Sequence, residues 1–227
     1  MITSACHRHR RLLSALSIVL PLGGCGGGGD GGGGSNVIDL AVCAAESGPF
    51  ATTVDNPYLP FEVGAVHVLE GLEGGTDPIK LQLTVLDETQ DVDGVTTRVV
   101  EELVWEDQVP AGTQRHYVVQ AEDGTVCFYG TEGAGTEEEW IAGENDAVPA
   151  ILMPAHPATG MVFDVVHAPP SDVEPVEVTN VGDSVDTPAG TFDDTVTLLT
   201  EESGPTRKKY ARGVGLIDDD GVVLTEY

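Results

Sequence analysis

Basic residues are scarce in this sequence. Ten lysines and arginines stand against 38 aspartates and glutamates, which gives a formal net charge of −28 at pH 7. A protein that binds nucleic acid needs a basic surface to neutralise phosphates. The composition therefore excludes nucleic acid as a partner, and anionic lipid headgroups would also repel the chain.

Short motifs for catalysis or cofactor binding are also missing. No serine stands in a G-x-S-x-G motif, no lysine in a phosphate loop, and no acidic run has the spacing of an EF-hand. The histidines beyond the N-terminal segment are isolated and lack metal-ligand spacing: His67, His116, His156 and His167. We therefore predict no metal site, no cofactor and no catalytic residues.

Sustained helical periodicity is absent, whereas alternation of apolar and polar residues recurs along the chain. Leu81, Leu83 and Val85 alternate with polar neighbours, which is typical of strands with one buried face. Asp-Gly pairs at 93–94 and 220–221 indicate hairpin turns. The pattern predicts an all-β domain built as a single antiparallel meander of about 10–12 strands, forming a barrel, half-barrel or sandwich. Long loops are expected at 131–136 and 168–172.

The N-terminus has the features of an export signal. His7 to Arg11 is basic, and Leu12 to Leu22 is an apolar run too short to span a bilayer. The next residues, Leu22-Gly23-Gly24-Cys25, resemble the bacterial lipobox. That resemblance implies that Cys25 is diacylated and becomes the first residue of the mature chain. The alternative is a signal peptide that is cleaved without lipidation.

These features divide the chain into three parts. Residues 1–24 form the lipoprotein signal peptide, residues 25–36 the acylated cysteine and a glycine-rich tether, and residues 37–227 the β-rich domain. The resemblance implies an exported protein whose acyl chains anchor it in a membrane. In a Gram-negative cell this would be the outer membrane, because Gly26 replaces the aspartate that signals inner-membrane retention.

Cys43 and Cys127 are the two remaining cysteines of the mature chain. In an oxidising envelope they are expected to form one disulfide that attaches the N-terminal segment to the strand beginning at Val126. The alternatives are two separate buried thiols or, less in keeping with the sequence, a reactive thiol.

Several segments resemble a loosely defined family of uncharacterised bacterial envelope proteins. The matching segments are Asn56 to Phe61, Val68 to Gly71, Ile151 to Ala155, Thr187 to Phe192 and Tyr210 to Ile217. They consist of turn glycines and packing aromatics, so the resemblance implies an order of elements and little about function. The chain departs from the family at His67 and Cys127, where aromatic residues are usual.

Three functions compete at this stage. The first is a lipid-anchored envelope domain with a non-enzymatic binding or scaffold role. The second is a carrier of lipid or another hydrophobic ligand in a half-barrel cavity, with four possible ligand-facing aromatics: Trp105, Tyr117, Phe128 and Phe163. The third is a hydrolase whose site forms only in three dimensions, around a histidine such as His116 or His156.

The acidic surface predicts that salt stabilises the domain. Removal of residues 1–24 leaves seven basic residues against 38 acidic ones, a net charge of −31. Added salt screens the repulsion among these charges. We expect the thermal midpoint of unfolding to rise between low and molar sodium chloride. A midpoint that stays constant or falls would contradict this prediction.

Overall fold

The computed structural model describes residues 37–73, 75–134, 139–168, 172–200 and 205–227. These residues form strands and two short 3-10 helices, Leu40–Cys43 and Ala45–Ser47, and contain no α-helix. The strands are β1 (Val66–Glu73), β2 (Asp77–Val92), β3 (Val95–Glu106), β4 (Val109–Gln120), β5 (Val126–Ala134), β6 (Trp140–Ile141), β7 (Ala150–Met153), β8 (Val162–Ala168), β9 (Asp172–Thr187), β10 (Gly190–Thr200), β11 (Thr206–Ala211), β12 (Gly215–Asp219) and β13 (Val222–Glu226). The predicted signal peptide, Cys25 and the tether lie outside the described residues.

All thirteen strands belong to one antiparallel sheet. Its order is β6-β5-β4-β3-β2-β1-β13-β12-β11-β10-β9-β8, with β7 paired to β5. The first and last strands of the chain are therefore neighbours near the middle of the sheet, and hairpins extend from them in both directions. The sheet is not closed by hydrogen bonds into a barrel. The prediction of an all-β antiparallel meander is confirmed, with one strand more than expected.

Short turns connect most of the strands, as the Asp-Gly pairs predict. Asp93 and Gly94 join β2 to β3 with positive φ angles of 49° and 76°, the backbone conformation of a tight hairpin turn. Asp220 and Gly221 join β12 to β13 in the same way, at 49° and 98°. The expected loop at 131–136 is wrong in its first part, because β5 continues to Ala134.

The register of the strands defines an inner and an outer face of the sheet. Residues paired across strands, or two apart in one strand, point to the same side. We call inner the side that carries Leu69 of β1 and Leu81 of β2, which pair with each other. Apolar residues of that side from both halves of the sheet join in one buried cluster: Val100, Phe128, Phe163, Val178 and Leu198. The inner face therefore folds back on itself around a packed core.

The segment before β1 connects β8, at one edge of the sheet, with β5, next to the opposite edge. Ile38 donates a backbone hydrogen bond to Val162 of β8 over 2.8 Å. Cys43 forms a disulfide with Cys127 of β5, and the Tyr129 hydroxyl donates to the Cys43 carbonyl over 2.7 Å. The disulfide and the Tyr129 contact lie on the outer face of β5, which this segment covers. The sheet is thus held together across its open seam by residues that follow the tether.

Candidate functional site

A histidine–carboxylate pair lies on the inner face. His116 of β4 pairs in register with Val100, two residues from Glu102 on β3, so both side chains point inward. Nε2 of His116 is 3.3 Å from Oε2 of Glu102. Both side chains are about one-fifth exposed, at 21% and 22%. Solvent therefore reaches a hydrogen-bonded pair inside the folded sheet.

A second ion pair lies on the same face of strands from the other half of the chain. Lys208 of β11 pairs in register with Asp219 of β12, and its Nζ is 3.1 Å from Asp219 Oδ2. Lys208 keeps 44% of its side-chain surface exposed. We name Glu102, His116, Lys208 and Asp219 the inner charged cluster, because Lys208 and Glu102 also act on each other's protonation.

The mutual influence of these groups is visible in their pKa values. Burial raises the pKa of Glu102, but the interactions with His116 and Lys208 outweigh it and bring the pKa below its ordinary value. The charge of Asp219 raises the pKa of Lys208 above its ordinary value. Burial raises the pKa of neighbouring Tyr210 to about 12. At neutral pH Glu102 is therefore a carboxylate, Lys208 an ammonium group and Tyr210 a neutral phenol.

Three buried polar atoms near the cluster have no hydrogen-bond partner among the described residues. They are Oγ1 of Thr131, Nε1 of Trp140 and Oγ1 of Thr200. Thr131 pairs in register with both His116 and Trp140, so these side chains are consecutive on the inner face. An unsatisfied buried polar group costs about 1–3 kcal/mol. The site therefore has hydrogen-bonding capacity that the described chain does not use.

Gly130 allows Trp140 to reach this position. A Cβ atom at residue 130 would lie 2.3 Å from the Trp140 carbonyl oxygen, and the φ angle of Gly130 is +134°. Both conditions require glycine. The short strand β6 can therefore lie directly against β5, and Trp140 packs edge-on against Phe128 with 5.1 Å between ring centroids.

The inner charged cluster lies near one end of the sheet, where β3 and β12 finish at residues 106 and 219. We name this the charged end. The opposite end carries the loop that contains Asn56, Pro57 and Tyr58. Pro57 accepts a hydrogen bond from Gly213 in the β11–β12 turn. Asn56 and Tyr58 also form side-chain hydrogen bonds with other segments there. We name this end, which the loop joins to its neighbours, the capped end.

The capping contacts come from the segments that contain Asn56, Pro154 and Arg212. The Asn56 amide donates to the carbonyls of Gly124 and Pro154. The Tyr58 hydroxyl donates to Asp194 over 2.9 Å and accepts from Arg212 over 3.1 Å. These residues serve to hold turns together. The segments therefore account for packing rather than for a reactive site.

The four aromatics predicted to face a ligand do not share one surface. Tyr117 pairs with Val99, one residue from inward-facing Val100, and therefore lies on the outer face. Trp105 lies there too, with Lys80 over its ring at 5.4 Å. Phe128 and Phe163 are on the inner face and are buried in the core. The four aromatics therefore line no common face of the sheet, and contact of any of them with a ligand stays a prediction.

The remaining histidines are not part of the cluster. His67 is half-buried on β1, and His156 is exposed between β7 and β8. His167 belongs to β8, and its side chain lies outside the described residues. In the described part of the chain no group of three or more His, Cys, Asp or Glu side chains could hold a metal ion.

His67 is expected to make stability depend on pH. Burial lowers its pKa below the ordinary value of 6.5, so the unfolded chain binds more protons than the folded one as the pH falls through this value. Stability should therefore decrease from pH 7 towards pH 5. We expect His67→Phe to weaken that decrease, measured by urea unfolding at both pH values. His156→Gln is the control, and an unchanged pH dependence in His67→Phe would contradict the prediction.

Comparisons with protein-family models, curated proteins and solved structures find no match for this chain. Among the described residues, no helix is long and apolar enough to cross a membrane. The N-terminal sequence and the inner charged cluster are the features of this chain that bear on its function.

Proposed function

We propose that the protein is a lipid-anchored domain of the bacterial envelope with a non-enzymatic binding or scaffold role. The observation that carries the proposal is the arrangement of the N-terminus: an export signal, Cys25 in a lipobox-like setting and a glycine-rich tether. The Cys43–Cys127 disulfide supports it, because the bond attaches the residues after the tether directly to the sheet. Such a domain would remain folded while held at a membrane.

The binding part of this role is supported by the charged end. Two solvent-accessible ion pairs lie there, and three buried polar atoms nearby have no partner among the described residues, so this end can offer hydrogen bonds to a polar ligand. The packed core argues against a carrier that encloses a large apolar ligand, because Phe128 and Phe163 fill the interior. A binding domain with a small polar site fits both observations.

Replacing Cys25 tests the proposal. We expect Cys25→Ser to move the protein from the membrane fraction to the soluble fraction, because the variant has no thiol to acylate. Fractionation and the mass of the mature N-terminal peptide measure the effect. Cys6→Ser is the matched control, since this cysteine lies within the signal. A Cys25→Ser protein that remains fully membrane-bound would refute the lipid anchor.

Hydrolysis is a second candidate function, favoured by the His116–Glu102 pair alone. A base oriented by a carboxylate is part of many hydrolytic sites, and the unpartnered Thr131 hydroxyl lies opposite His116 in register. Turnover of an activated ester that is lost in His116→Ala and kept in His156→Ala would favour this function. Equal turnover by wild type and His116→Ala would reject it.

A further inference from the structure

We propose that the charged end of the inner face binds a neutral carbohydrate through the inner charged cluster, Thr131 and Trp140. This inference rests on the proposed binding role and specifies the ligand of the site. The four ion-paired side chains are accessible to solvent. They lie on the inner face of a packed sheet, yet 21–44% of their surface is exposed. A ligand can reach these charged groups without opening the core, whereas Oγ1 of Thr131 and Nε1 of Trp140 are buried and meet it only when their side chains turn outward.

The local charge argues against an anionic ligand. Glu174 is on the inner face, two residues from Val176, and interacts with Tyr210. Glu102, Glu174 and Asp219 thus give this end three acidic side chains, whereas Lys208 supplies its single ammonium group. An anion would meet both this local excess and the overall negative charge of the domain. An apolar ligand is also disfavoured, because it would remove water from two ion pairs without replacing its hydrogen bonds.

The unpartnered atoms argue against a simple cation. The indole N–H of Trp140 can only donate a hydrogen bond, so its partner must supply an acceptor oxygen. The carboxylates of Glu102 and Asp219 can only accept. A sugar hydroxyl does both, because it donates to a carboxylate and accepts from an indole or an ammonium group.

Tryptophan fluorescence tests the proposal directly. The chain has two tryptophans, and Trp105 on the outer face can be replaced by phenylalanine so that Trp140 is the only reporter. The Trp105→Phe protein is titrated with glucose, galactose and N-acetylglucosamine as neutral probes. Glucuronate serves as the anionic probe and glucosamine as the cationic one, all at constant ionic strength. We expect saturable changes in Trp140 emission with at least one neutral sugar and weaker binding of both charged probes.

The two lysines of β11 give a matched pair of variants. Lys208 belongs to the inner charged cluster, whereas its neighbour Lys209 forms an ion pair with Asp218 on the outer face, over 2.7 Å. In the Trp105→Phe background we expect Lys208→Met to weaken sugar binding by about tenfold and Lys209→Met to leave it unchanged. Thr131→Val should weaken binding as well, and its small change in volume protects the fold. Thermal unfolding of each variant verifies that the domain is intact.

The outcomes separate this inference from the proposed function. No response to any neutral sugar, tighter binding of glucuronate or glucosamine, or equal effects of the two lysine variants would overturn the carbohydrate assignment. None of these results bears on membrane anchoring, which the Cys25→Ser fractionation decides. A soluble Cys25→Ser protein that still binds sugar through Lys208 would support both proposals.

Discussion

Loss of the Cys43–Cys127 disulfide is expected to reduce the free energy of unfolding by about 4 kcal/mol, because the bond closes a long loop in the unfolded chain. The two cysteines are 84 residues apart in sequence, and both are fully buried. The double variant Cys43→Ala/Cys127→Ala removes the bond without leaving a free thiol. Urea unfolding of wild type and variant, both produced in an oxidising compartment, measures the difference.

The position of this disulfide suggests a local effect besides the global one. Cys43 lies in the segment that connects β8, at one edge of the sheet, with β5, next to the opposite edge, and Tyr129 donates a hydrogen bond to its carbonyl. We expect amide hydrogen exchange to be faster in the double variant than in the wild type. The increase should be larger for residues 38–50 than for β2 and β3. Non-reducing peptide mapping provides the control for the wild type. Two free, alkylatable thiols in folded, oxidised protein, or a loss below about 1 kcal/mol, would contradict the prediction.

Much of the fold could be predicted from local sequence. Strand β2 alternates apolar and polar residues through Leu81, Leu83 and Val85, and all three apolar side chains point to the inner face. The Asp-Gly pairs identified the hairpins at 93–94 and 220–221 because few residues other than Asp, Asn and Gly adopt the required positive φ angles. Such signals are local, so a single sequence is enough to reveal them.

The assignment of faces could not be predicted as well. By alternation alone, Val99 and Trp105 of β3 would share a buried side and Glu102 would lie on a polar one, whereas the register places Glu102 on the inner face. The outer face is also apolar in places, because the segment with Cys43 and Phe50 covers it. A strand buried on both faces loses the contrast between core and solvent on which the period-two pattern depends.

The charged cluster depends on contacts that no local pattern encodes. Lys208 and Glu102 lie on strands separated by β2, β1, β13 and β12 in the sheet, and they interact because the inner face folds back on itself. Bulges also change the register, as between Tyr117 and Val118 opposite β5. The sequence did contain one signal for the cluster. Glu102 stands between Val100 and Val104, and a charged residue within an apolar face indicates a buried polar group that needs a partner.

Asn56→Ala is expected to lower the free energy of unfolding by about 3 kcal/mol, because its side chain holds the capped end together through four hydrogen bonds. Its amide donates to Gly124 and Pro154, over 2.9 and 3.1 Å, and its carbonyl accepts from the backbone amides of Tyr58 and Leu59. The residue is 1% exposed, so water would not replace these partners.

The substitution Asn56→Asp sharpens this test. Aspartate keeps the oxygen that accepts from Tyr58 and Leu59 but turns a second acceptor towards the carbonyls of Gly124 and Pro154, so it should destabilise at least as much as alanine. Asn180→Ala is the control, since that side chain is half-buried on β9 and has no hydrogen bond to the described residues. Urea unfolding of the three variants gives the comparison. If Asn56→Ala costs no more than Asn180→Ala, the loop does not stabilise the capped end.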